Sequence, residues 1–207
     1  MKRRIGILLT GCGPYDGTDP HEAVLAMLAV QEAGDEAVPL ALDEPLFHVV
    51  DHLTAQESDS AARNAMTEAA RLVRGKLYRV EELSPKLLEG LIIPGGQGPA
   101  KNLLTGFGTT QQRQLVPAVA NFINSAHASG AVFGAISLAE FVLSDALGPW
   151  PEGKGCFDLE PTGVLVDRPL RRVLTPGYTL CTTLPELLQG VRRLVAEMKA
   201  LIDEQDK

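Results

Sequence analysis

Apolar positions along this chain follow two rhythms. In the first they are contiguous: Arg4–Thr10, Ala37–Leu42, Leu77–Val80, Gly90–Pro94 and Ala131–Ile136 are short and almost uninterrupted by charge. That is the pattern of strands buried on both faces, as in a parallel sheet. In the second they recur every three or four residues. Pro20–Gly34, Ser58–Arg74 and Leu138–Leu147 read this way, and so does the terminal stretch Leu184–Glu204, with Leu187, Leu188, Val191, Leu194, Val195, Met198 and Leu201. Those spacings predict amphipathic helices. Ser84–Glu89 predicts a short helix, and Gln111–Ser129 a long one that Pro117 kinks or restarts. Glu44–Glu57 fits neither rhythm. Thr162–Val166 and Arg171–Thr175 predict a hairpin around Asp167-Arg-Pro-Leu.

Strands alternating with helices predict an α/β fold with a doubly wound, mostly parallel sheet, organised as one domain over 1–207. In such folds the site lies outside the carboxyl ends of the strands. Three unusual turns fall there: Gly11–Gly17, Gly95–Gly98 and Ser137. Ser137 stands between a buried strand and a helix, with Ala135 and Ala139 two residues to either side. Small flanking residues let strand and helix approach closely, the requirement of a nucleophile elbow. An elbow also leaves amides at the helix start free to bind an anion. The plainer alternative is a serine that only caps the helix.

Composition narrows the class. The chain has 207 residues, 45% hydrophobic and 22% charged, with a net charge of −7 and no basic stripe. Nucleic acid is therefore not an expected partner. No run of about 18 apolar residues exists, so no membrane partner is expected. Cys12, Cys156 and Cys181 are odd in number and lack metal-ligand spacing. They suit a reducing compartment, and a cytoplasmic location is expected. His48 and His52 are four apart, but the stretch is not convincingly helical and offers no third ligand. Neither metal nor cofactor is expected.

Several motifs together carry a resemblance: Gly11-Cys-Gly-Pro-Tyr-Asp-Gly17 followed by His21-Glu-Ala-Val24; Asp51-His-Leu-Thr54; Arg63-Asn64 with Glu68-Ala-Ala-Arg71; Pro94-Gly-Gly-Gln-Gly-Pro-Ala-Lys-Asn-Leu103; and Thr175-Pro-Gly-Tyr178. In this order, over most of the chain, they resemble the PfpI-like branch of the class I glutamine amidotransferase-like superfamily. Within it the likeness is to the enhancing-lycopene-biosynthesis (ElbB, glyoxalase-III-like) proteins. The resemblance implies a flavodoxin-like three-layer sandwich and a homodimer. It departs from the family twice. Relatives carry cysteine at the elbow where this chain has Gly134-Ala-Ile-Ser-Leu-Ala139. The segment between the elbow helix and the hairpin, Gly148–Glu160, is also shorter than theirs.

The resemblance places an acidic side chain of the first helix, here Glu22, beside Ser137, with the amides of Gly96 and Leu138 as oxyanion donors. A cysteine there would ionise readily, whereas a serine hydroxyl needs a base within about 3 Å. Three outcomes stay open: acyl transfer or hydrolysis by Ser137 with Glu22, acid/base work by Glu22 on a bound carbonyl, or a binding site without chemistry. Either active form is a lyase, hydratase or hydrolase of a small-molecule ligand. Cys12, Gly95, Tyr15, His52 and Asn102 are the expected pocket lining. For Cys12 the alternatives are a substitute thiol or a small residue filling a turn. Asn102 and Lys101 have a bland reading as cap and surface residues.

Overall fold

The computed structural model describes residues 2–58, 62–106 and 113–205. In chain order the elements are β1 (Arg4–Leu9), α1 (Pro20–Glu32), β2 (Glu36–Ala41), β3 (Val50–Asp51), β4 (Gln56–Glu57), α2 (Ala65–Leu72), β5 (Tyr78–Arg79), β6 (Gly90–Ile93) and α3 (Gly98–Asn102). There follow β7 (Leu104–Thr105), β8 (Gln114–Leu115), α4 (Pro117–Ala128), β9 (Val132–Ile136), α5 (Glu140–Leu147), β10 (Leu165–Asp167), β11 (Arg172–Thr175) and α6 (Leu184–Gln205). The main sheet has the order β10-β11-β9-β6-β1-β2-β5. Every pairing in it is parallel except β10 with β11. Parallel neighbours need crossovers, and the helices that supply them cover both faces.

The strands divide the core by alternation. In β1, Ile5, Ile7 and Leu9 join the cluster that holds α1, α2 and α6 residues, while Leu8 joins the one that holds α4 and α5 residues. In β9, Val132 and Ile136 face the first cluster and Phe133 and Ala135 the second. This is the period-two signature of a strand between two helical layers, and each fully buried aliphatic side chain stabilises by ~1.5–3 kcal/mol. Gly134 has a packing reason: a Cβ there would lie 2.6 Å from Met198 Sδ and 2.9 Å from Leu194 Cδ2, so glycine lets α6 lie close on the strand. The α/β sandwich expected from the sequence is thus the fold of the chain.

Several boundaries move. Pro117 restarts a helix: α4 begins there, and Gln114–Leu115 pairs instead with Leu104–Thr105. Proline suits the first helical position, where an amide would have no intrahelical acceptor anyway. The remainder of the predicted Gln111 start lies outside the described residues. Of the helix predicted from Ser58, residues 59–61 lie outside the described residues; α2 begins at Ala65, where Asn64 caps it by accepting from Thr67 N at 2.9 Å. The stretch after Ser84 forms only a 3₁₀ turn, Pro85–Leu87. The ambiguous Glu44–Glu57 stretch contains a small hairpin, β3 with β4.

Candidate functional site

β9 ends at Ile136, and the chain turns at Ser137 with φ +56° before a 3₁₀ turn leads into α5. This left-handed conformation is costly for a residue with a Cβ, and it marks a backbone held by its surroundings. Ser137 is not a helix cap: the capping position is Ile136, and no side chain caps that turn. The Ser137 hydroxyl instead meets Thr179 Oγ1 at 2.7 Å. Ser137 is only 5% exposed.

Glu22 reaches this corner from the first turn of α1. That helix is started by Asp19, whose carboxylate accepts from His21 N at 2.9 Å and Glu22 N at 3.0 Å. The Glu22 side chain is fully buried. Its Oε2 accepts from Gly95 N at 2.7 Å and its Oε1 from Tyr178 N at 2.9 Å. Burial pushes the Glu22 carboxyl up to about 8, and the charge of Asp19 adds to the rise. The two amides oppose it, but desolvation of a carboxylate outweighs them.

Gly95 is the hinge between the two groups. A Cβ at Gly95 would lie 2.6 Å from Glu22 Oε2, from Ile136 O and from Ser137 Cβ alike. Glu22, Ile136 and Ser137 therefore pack against Gly95 so closely that not even one side-chain carbon would fit between them. No hydrogen bond joins them among the described residues. Gly96 follows with φ +83°, and its amide has no hydrogen-bond acceptor among the described residues. Leu138 lies in the first turn of a helix, where amides lack intrahelical acceptors.

Two polar pairs that the sequence does not announce lie near this corner. One is Ser137 with Thr179, whose hydroxyl also favours the Cys156 thiolate; the other is Cys156 with Glu140. Cys156 Sγ donates to Glu140 Oε1 at 3.3 Å, and Cys156 N donates to Glu140 Oε2 at 2.7 Å. Burial and the Glu140 charge push the thiol up to about 12, so it stays protonated. Thr179 directly follows the Thr175-Pro-Gly-Tyr178 motif, whereas nothing in the sequence links Cys156 to Ser137.

The other expected lining residues gather elsewhere, around Asp16. Asn102 ties segments together: its Oδ1 accepts from Phe47 N at 2.8 Å, and its Nδ2 donates to Asp16 O at 2.8 Å and Thr10 O at 3.3 Å. Tyr15 and His52 stack with ring centres 5.0 Å apart. Cys12 lies in the field of Glu68, Arg63, Arg71 and Asp16, and burial raises its thiol pKa. No described contact brings Cys12, Tyr15, His52 or Asn102 to Ser137. His48 and His52 turn to different partners, Glu57 and Asp16. Among the described residues no group of three or more histidine, cysteine or acidic side chains could hold a metal ion.

No family model matches the chain. It is 29% identical over 222 residues to the human glutamine amidotransferase-like class 1 domain-containing protein 3, mitochondrial, covering 96% of this chain and 83% of that protein. It is 27% identical over 224 residues to the rat ES1 protein homolog, mitochondrial, covering 97% and 84%. The chain is homologous to glutamine amidotransferase-like superfamily proteins, ES1 among them. A crystal structure of an isoprenoid biosynthesis protein with amidotransferase-like domain from Ehrlichia chaffeensis shares the fold, with TM-score 0.86 at 24% identity over 95% of this chain and 99% of that one. These relatives overturn the cytoplasmic expectation, since the human and rat proteins are mitochondrial by name. Free thiols report only a reducing environment, which more than one compartment provides. Among the described residues no helix is long and apolar enough to cross a membrane.

Proposed function

We propose that this chain is a small-molecule enzyme acting on a carbonyl or acyl compound, a lyase, hydratase or hydrolase, with its chemistry at the Glu22–Gly95–Ser137 corner. One observation carries the reading: a fully buried carboxyl raised to about 8 and a serine held at positive φ pack against the same glycine, Gly95. A carboxylic acid that keeps its proton at neutral pH can give it to a carbonyl oxygen as charge develops there. Glu22 is the acid in this reading and the base on the return step. Ser137 meets the substrate by hydrogen bonding, because its hydroxyl does not ionise at neutral pH and no hydrogen bond to Glu22 activates it. The Gly96 and Leu138 amides receive the developing oxyanion. The chain acts as one domain, as a homodimer, on this proposal.

The test is turnover of a panel of small aldehydes, keto acids and acyl esters. Because the Ehrlichia protein is named for isoprenoid biosynthesis, the panel includes carbonyl-bearing isoprenoid precursors. Glu22→Gln is expected to lower kcat by ~10²-fold or more on any substrate found. Unchanged turnover in that variant removes the proposal.

A second reading, a binding or regulatory protein on the same scaffold, is favoured by the closure of Ser137 onto Thr179. It expects wild type to be inert toward every carbonyl in the panel, and Ser137→Cys to gain activity toward methylglyoxal. Strong wild-type activity would end it.

A further inference from the structure

A second cluster of titratable groups lies apart from the Glu22–Ser137 corner. Lys101, on α3, holds its Nζ 2.7 Å from Tyr15 O and 2.7 Å from His48 Nε2. The other ring nitrogen of His48, Nδ1, lies 3.2 Å from Glu57 Oε1. Carboxylate, imidazole and amine therefore stand in series. The carboxylate favours a proton on Nδ1, which leaves the Nε2 lone pair facing the amine. Burial lowers the Lys101 pKa, against the charges of Glu57 and Asp16. The Asp16 carboxylate is itself buried, with Oδ1 lacking a hydrogen-bond partner and 3.8 Å from His52 Nε2. Two exposed rings border the group: Phe47, centred 5.2 Å from His48, and Tyr15, centred 5.0 Å from His52.

We propose that Lys101 is an amine nucleophile served by His48 and Glu57, and that it condenses with small aldehydes, preferring those with a flat aromatic body. His48 Nε2 takes a proton from the Lys101 ammonium, freeing the nitrogen lone pair. A C–N bond forms as the carbonyl π bond breaks, and the His48 imidazolium returns its proton to the oxygen, giving a carbinolamine. The nitrogen lone pair then expels that oxygen as water, using the second amine proton passed through His48. The product is a protonated imine and one water, with no oxidant or reductant needed. Glu57 acts as a positioning residue, setting the His48 tautomer. The flanking rings supply the apolar surface against which a flat aldehyde would lie. This site stands whether or not the Glu22–Ser137 corner turns over a substrate.

The experiment uses the full chain at neutral pH with benzaldehyde and sodium cyanoborohydride, which reduces the imine to a stable benzylamine. Peptide mass mapping then gives the labelling rate of each lysine. Lys101 is expected to label about fivefold or more faster than exposed Lys86. His48→Gln is expected to bring Lys101 down to the Lys86 rate while the Lys86 rate stays unchanged. Should that variant fail to fold, Glu57→Gln, at an exposed position, replaces it and is expected to slow Lys101 alone. Labelling of Lys101 no faster than Lys86 in wild type overturns the proposal. So does a Lys101 rate that neither variant changes. A Glu22→Gln protein that loses turnover yet still labels Lys101 would separate the two sites.

Discussion

Glu22 gives the protein a pH dependence opposite in sign to that of a paired surface carboxylate. Unfolded, it titrates near its ordinary 4.5; folded, burial holds the proton to about 8. Between those values the unfolded chain has released a proton that the folded chain keeps. The stability linked to Glu22 is therefore fully present below the unfolded value and is lost as pH rises through the folded one. The slope is at most ~1.4 kcal/mol per pH unit. Urea unfolding of wild type should show stability falling between about pH 5 and pH 8, and Glu22→Gln should flatten that fall. The amide also turns an NH₂ toward one of the two backbone donors, so the variant starts from a lower level; the slope is the diagnostic quantity. Glu22 was legible in the sequence as an acidic residue in the first turn of a helix. Its raised pKa was not, because desolvation comes from Gly95 and Gly177, remote in sequence, closing over it.

At the scale of elements, Arg172 decides how the shortened segment after α5 is held. Its side chain is fully buried on β11. It donates to Asp167 Oδ2 at 2.8 Å, to Leu143 O at 3.1 Å and to Gly148 O at 2.7 Å, and it also binds Pro149 O. The guanidinium lies 4.2 Å from the centre of the Trp150 ring. One planar cation thus satisfies the end of α5 and the loop that leaves it, a task suited to arginine rather than lysine. Arg172→Met leaves Asp167 buried without its partner and should cost ~3–5 kcal/mol. Urea unfolding followed by fluorescence of Trp150, the chain's one tryptophan, reads that loss directly. In the sequence, Gly148–Gly155 reads as a surface loop by composition, and Arg172 only as one residue of the Arg171–Thr175 strand. The reason is general: polar satisfaction inside a core depends on which carbonyls arrive from elsewhere, and no local pattern records that.

For the whole molecule, the three thiols report how tightly the layers close. Cys156 and Cys181 are buried and Cys12 is partly exposed. A thiol-reactive disulfide reagent should therefore titrate Cys12 first. The other two should react ~10²-fold more slowly, at the rate of global opening. Equal reactivity of all three would mean that the Cys156 and Cys181 surroundings open far more often than this packing allows. The sequence alone determined the α/β order of elements, the parallel sheet and the turn at Ser137. Each follows from the spacing of apolar residues and from small residues at tight corners, which act locally. Only the tertiary structure decided that Ser137 bonds to Thr179, that Glu22 is sealed under two backbone amides, and that Lys101 meets His48. Those pairings join residues distant in the chain, so they form only when the crossovers bring the carboxyl ends of the strands and their loops together.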